Sequence, residues 1–185
     1  MFRSLRANES LKTCMEHSLQ QSSTIVILSR MITNSQLCEF LVKAKKATYA
    51  AGDLAKKIVN DDKSTTLEFE EGSLKYHDNY FGGEPYGGRE VVFVDGKPFY
   101  IMTYYGQVDA SVTNPGNIYG VLINALKLIP KDFPFRGPQK YEQSPFVYKN
   151  TYTGKVDSFY GEETISDKGV VVYSARYAGG LVDQR

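Results

Sequence analysis

The stretch LKYHDNYFGGEPYGGREVVFVDGKPFYIMTYYG, from Leu74 to Gly106, decides the fold class. Leu74, Tyr76 and Tyr80 fall on alternate positions, the period of a strand with one buried face. Gly82-Gly83-Glu84-Pro85-Tyr86-Gly87-Gly88 interrupts that period as a flexible hairpin connection, and Val91-Val92-Phe93-Val94 restores it. Asp95-Gly96 is the strongest short hairpin signal in the chain, because both residues tolerate the positive φ of a two-residue turn. Lys97 to Tyr105 is then the returning strand. A two-residue turn sets Val94 opposite Lys97, Val92 opposite Phe99 and Glu90 opposite Ile101, so Glu90 shares a face with large apolar groups.

Upstream, Leu67 and Phe69 alternate with Glu68 and Glu70 as a further strand, which adds to this meander. Before it, Leu37, Phe40, Leu41 and Ala44 recur at helical spacing behind an Asn34-Ser35 cap, with Lys43, Lys45 and Lys46 near the C-terminal end. The spacing predicts a helix over 35–49. A second helix opens at Asn114-Pro115 and carries Ile118, Leu122, Ile123, Leu126 and Ile129 on one stripe. Pro130, Pro134 and Pro138 end it and make residues 130–145 an extended surface connection. Strands follow over 146–152, 162–166 and 170–177. These elements describe an α+β protein with a mainly antiparallel sheet and two helices.

The chain also matches itself. A shift of 72 residues superposes Tyr76 on Tyr148, Tyr80 on Tyr152 and Gly82 on Gly154; a shift of 73 superposes Gly88 on Gly161, Glu90 on Glu163, Gly96 on Gly169 and Tyr104 on Tyr177. The expectation is two pseudo-symmetric helix-plus-three-strand halves, about 35–106 and 115–180, inside one domain over 31–185. A groove at their junction is then the natural ligand site. The same arithmetic places Glu163 opposite Ser174 and diagonal to Arg176, a candidate charge pair. Six of the fourteen tyrosines in this Trp-free chain fall on the repeat.

Charge excludes some partners. The 22 Lys and Arg against 21 Asp and Glu leave a net charge of +1, without the basic excess that phosphate contacts need, so direct nucleic-acid binding is not expected. Cys14 and Cys38 make no disulfide framework, and the reduced cytoplasm is the expected setting. Ile25 to Leu28 is too short a run for a membrane span. Residues 1–30 read as a tail or an upstream extension, with a docked strand over 25–28 as the alternative.

Candidate chemistry is sparse. Gly82 to Gly88 lacks the Lys-Ser/Thr and the following helix of a phosphate loop. Cys14 and His17 could chelate, but no second pair completes a metal site, and neither metal nor cofactor is expected. His77 is followed by Asp78, yet neighbours on a strand point to opposite faces. Glu90 and Glu163 are paired carboxylates by repeat position, with Arg89 and Arg176 as their nearest candidate cations. The candidate ligand-binding set is Tyr76, His77, Tyr80, Glu84, Arg89, Glu90, Tyr104, Tyr148, Tyr152, Glu163, Arg176 and Tyr177.

FLVKAKKATYA (residues 40–50), the 74–106 stretch, FRGP (135–138) and YAGGL (177–181) together resemble an uncharacterised bacterial family of unknown function over residues 35–182. Its members stand alone or follow an XRE-type helix-turn-helix in transcriptional regulators. The resemblance implies a sensory or accessory role, with a small molecule or a protein as partner, and carries no active site. The alternatives are an enzyme using His77 or Glu90 and Glu163 as acid and base, and a self-associating module, for instance a homodimer.

Overall fold

The computed structural model describes residues 32–183; the expectations for residues 1–30, including Cys14, His17 and the 25–28 strand, lie outside them. Helix α1 (Asn34–Ala47) opens one residue earlier than the Asn34-Ser35 cap suggested. Thr33 is its cap, its hydroxyl accepting from the Gln36 amide while the Gln36 side chain accepts from the Thr33 amide. A 3-10 turn follows (Tyr49–Leu54), and α2 spans Pro115–Leu126 with proline in its first turn, though the Asn114 side chain makes no capping bond.

The strands are β1 (Ile58–Val59), β2 (Thr65–Glu71), β3 (Leu74–Gly82), β4 (Tyr86–Val94), β5 (Lys97–Val108), β6 (Lys140–Gln143), β7 (Phe146–Lys155), β8 (Ser158–Asp167) and β9 (Val170–Leu181). They form one antiparallel sheet in the order β1-β2-β3-β4-β5-β9-β8-β7-β6, so the protein is α+β, with a mainly antiparallel sheet and two helices. The order reads outward alike from the β5–β9 seam, where Tyr104 stands opposite Tyr177. β2 is not an addition peculiar to the first meander, since β6 flanks β7 as β2 flanks β3.

The hairpin registers differ from the two-residue arithmetic. Val92 pairs with Tyr100 and Glu90 with Met102, and in the second hairpin Ile165 pairs with Tyr173 and Glu163 with Ala175. A register shift after Val92, and another after Ile165, inserts one extra residue on the returning strand. Tyr100 and Tyr173 therefore join the buried face in place of Phe99 and Val172. The turns themselves form as read, with Asp95 and Lys168 at φ of 50° and 48°.

One face of the sheet is covered, α1 packing on β2 and β3 and α2 on β7. Residues 130–145 are not an extended surface connection. The chain turns inward so that Phe135 and Arg136 are buried, and Phe135 stacks on Phe159 with ring centroids 3.8 Å apart. Burying such a ring stabilises by about 1.5–3 kcal/mol, enough to draw the loop in. Among the described residues no helix is long and apolar enough to cross a membrane.

Candidate functional site

The covered face of the sheet is unusually polar, and its chemistry is arranged twice. On β4, Glu90 is fully buried and lies 2.7 Å from the Lys45 ammonium of α1, which also donates to the Phe135 carbonyl at 2.8 Å. Burial pulls the Lys45 pKa down, and the charge of Glu90 opposes it. On β8, Glu163 is likewise buried. It accepts from Arg136 Nε (3.0 Å) and Nη2 (2.6 Å) and from the hydroxyls of Tyr148 (2.7 Å) and Tyr173 (2.9 Å). Charge-assisted bonds of this kind are about twice as strong as neutral ones.

Beside each glutamate, a second polar residue holds the seam tyrosine. The Tyr104 hydroxyl donates to Asp78 at 2.5 Å, and the Tyr177 hydroxyl donates to Asn150 at 2.7 Å. Gly88 and Gly161 make room for these hydroxyls: a Cβ on either would fall within 3 Å of the tyrosine oxygen. Asp78 is opposite Glu90 across the β3–β4 pair. Burial first, and the Glu90 charge second, push the Asp78 carboxyl up to about 7, against the Tyr104 hydrogen bond and the more distant Arg136 and Lys45.

Asp78 and Arg136 border a cavity of ≈310 Å³ between the sheet, the 3-10 turn and α2. Tyr80, Tyr86, Tyr104, Tyr119 and Tyr49 line it, with Leu67, Leu122 and Leu126 supplying apolar wall and Lys57 the rim. Arg136 lies over the rings of Tyr49 and Tyr104 at 5.5 and 5.8 Å, so its charge is held by two aromatic faces and by Glu163. The Tyr86 hydroxyl bonds that of Tyr173 at 2.6 Å. At the mouth, Tyr119 donates to Glu84 and to the Gly83 carbonyl, and Glu84 accepts the Val108 amide at 2.8 Å. The glycine-rich connection is thus tied to β5 and α2 rather than loose.

The residues singled out in the sequence divide among several places. Tyr80 and Tyr104 line the cavity and Glu84 guards its mouth. Tyr76 and Glu90 are buried beside it, and Tyr148, Glu163 and Tyr177 form the second cluster. Tyr152 packs tilted against Phe133 and edge-on against Phe135. His77 is on the opposite face of the sheet from Asp78, in a surface hollow with Glu68 and Lys75, where burial lowers its pKa. Arg89 is exposed. Arg176 is also exposed and sits 3.6 Å from Glu162; the charge pair with Glu163 read from the hairpin is replaced by Arg136. Glu90 and Glu163 lie on strands separated by β5 and β9. No group of three or more His, Cys, Asp or Glu converges on a metal position among the described residues.

A family model described as a domain of unknown function (DUF5680) matches residues 78–182, more than half of the chain. The chain belongs to the DUF5680 family. The matched span opens at Asp78 and includes Tyr104, α2, Arg136 and all of β4 to β9, whereas Lys45 and Tyr49 precede it. The DUF5680 region therefore carries Asp78 and Arg136, the two buried charged groups that border the cavity, while Lys57 at the rim and Lys45 of α1, the buried cation that complements Glu90, precede it. No curated protein and no solved structure gives a match.

In the sequence Asp78 stands out only as the neighbour of His77 and Lys45 only as a helix-end cation, and Tyr49, Tyr86, Tyr119 and Arg136 are not singled out. Asp78 is two positions from Tyr76 and so shares its face, a signal the alternation held. Lys45 is four residues after Leu41 on the buried stripe, although a lysine near a helix end reads as a dipole partner. Arg136, in a proline-rich segment without periodicity, left no signal beyond the FRGP motif.

Proposed function

We propose that the protein binds a small molecule in the cavity bordered by Asp78 and Arg136, as a sensory or accessory domain working in the reduced cytoplasm. The observation that carries this reading is a cavity of ≈310 Å³ whose apolar walls converge on a few buried polar groups, within the size range of small-ligand sites. Its five tyrosines offer flat apolar faces and hydroxyls at little conformational cost. The relation to the effector part of transcriptional regulators is part of the same proposal. So is a duplication origin for the two meanders, which the matched registers, the matched bulges and the seam tyrosines held by Asp78 and Asn150 support.

A thermal-shift screen of the full chain against metabolite classes tests it, since a ligand that binds only the native state stabilises by RT ln(1 + [L]/Kd). Stabilisation that disappears when Leu122→Trp fills the cavity is the expected result. Stabilisation unaffected by that change would place binding elsewhere and overturn the reading.

A further inference from the structure

The buried charges do not balance. Lys45 and Arg136 are the cations of the covered face, and Asp78, Glu90 and Glu163 its carboxylates. Lys45 is committed to Glu90, and Arg136 to Glu163. Asp78 is the carboxylate left without a cation. It is 2% exposed, its Oδ1 accepts from the Tyr104 hydroxyl, and its side chain borders the cavity. In the second meander the corresponding position is Asn150, which satisfies its tyrosine without charge and donates to the Gly137 carbonyl. The first meander therefore holds, at the cavity, an acidic group that the architecture does not require.

The geometry points to a ligand with a single positive charge, a primary amine or amidine on an apolar body, whose charged head pairs with Asp78 while its body lies among Tyr80, Tyr86 and Tyr119. This rests on the cavity being a ligand site. A cationic head supplies the missing charge, and the electron-rich faces of the tyrosines favour it further. Arg136 does not oppose it strongly, because Glu163 neutralises it, and Lys57 is a solvated rim charge. The groups facing Asp78 are Glu90 on β4, Tyr104 on β5, Lys45 on α1, Arg136 from the connection after α2, Tyr49 from the 3-10 turn and Tyr76 on β3. Without the ligand, a proton on Asp78 closes the balance, so binding of the cation displaces that proton.

Three probes of matched shape test this on the full chain by calorimetry: phenethylamine, 2-phenylethanol and phenylacetate. The amine is expected to bind at least tenfold more tightly than the other two. Its affinity is expected to rise about tenfold from pH 6 to pH 8, as Asp78 deprotonates while the amine stays charged, with protons released to the buffer. Asp78→Asn is expected to reduce the amine to the level of the alcohol while the alcohol still binds. Should that variant not fold, proton release by the unaltered protein decides alone. Equal or tighter binding of phenylacetate or the alcohol, or amine binding without proton release, overturns the cationic assignment and leaves the cavity reading standing. Failure of all three to bind at millimolar concentration overturns both.

Discussion

Asp78 and Asn150 hold the same place in the two meanders, each accepting a hydrogen bond from the tyrosine at the β5–β9 seam, and only Asp78 adds a charge to the buried face. That difference has a pH signature. The native carboxyl titrates at about 7, against roughly 3.9 for an unfolded aspartate. Between those values the native state keeps a proton that the unfolded chain has lost, so stability falls as pH rises from about 4 to about 7 and then levels off. The fall is on the order of 4 kcal/mol at most. Asp78→Asn is expected to remove this slope, melting above the unaltered protein at pH 8 by about three times the margin seen at pH 5. Thermal melts at the two pH values check this, and a lower melting temperature for the variant at pH 8 would contradict it.

The Lys45–Glu90 pair lies wholly out of water, which makes its two halves unequal to the pair. Lys45→Met strands a buried carboxylate and is expected to cost about 3–5 kcal/mol in urea unfolding. Adding Glu90→Gln removes the stranded charge, and the double variant is expected to recover most of that loss. Additive losses would show that the two side chains are not coupled.

The tyrosines flanking the two glutamates separate by their hydroxyls. Tyr148 donates to Glu163 and accepts the Gly137 amide at 3.1 Å, whereas the Tyr76 hydroxyl is buried with no hydrogen bond. Tyr148→Phe is therefore expected to destabilise by about 1.5–3 kcal/mol, and Tyr76→Phe to be neutral or stabilising. Chemical denaturation of the pair distinguishes them; equal losses would deny the difference in bonding.

Gly161 is required by a close approach. A Cβ there would lie 2.4 Å from the Tyr177 ring and 2.7 Å from the Thr151 carbonyl, while one on Gly83 would meet nothing within 4 Å. Gly161→Ala is expected to cost about 1–3 kcal/mol, and Gly83→Ala about 0.5 kcal/mol or less. Comparable melting temperatures for the two variants would refute the packing argument.

Much of the sheet was legible because alternation, two hairpin turns and a helical stripe are local signals. Leu37, Leu41 and Ala44 announced α1, and Asp95-Gly96 announced its turn. The bulges were not legible: Phe99 and Tyr100 are both aromatic and satisfy the alternation in either register, so only the packing of Tyr100 beneath the helices decides. The site was harder still. Tyr80 and Tyr104 were found through their positions in the repeat, but Arg136 reaches the cavity by tertiary packing of Phe135 on Phe159, which no spacing rule encodes. Lys45 is a charge on the inner stripe of a helix, a choice that makes sense only when its distant carboxylate is known.

The inward turn at Phe135 and Arg136 also decides how much of the cavity wall is fixed in advance. Arg136 is fastened by Glu163 and lies against two rings, so the rotamer freedom of the longest side chain in the wall is surrendered during folding. The carboxylate that fastens it belongs to the other meander. One half of the molecule thus serves as the anvil on which the cavity wall of the other half is held rigid.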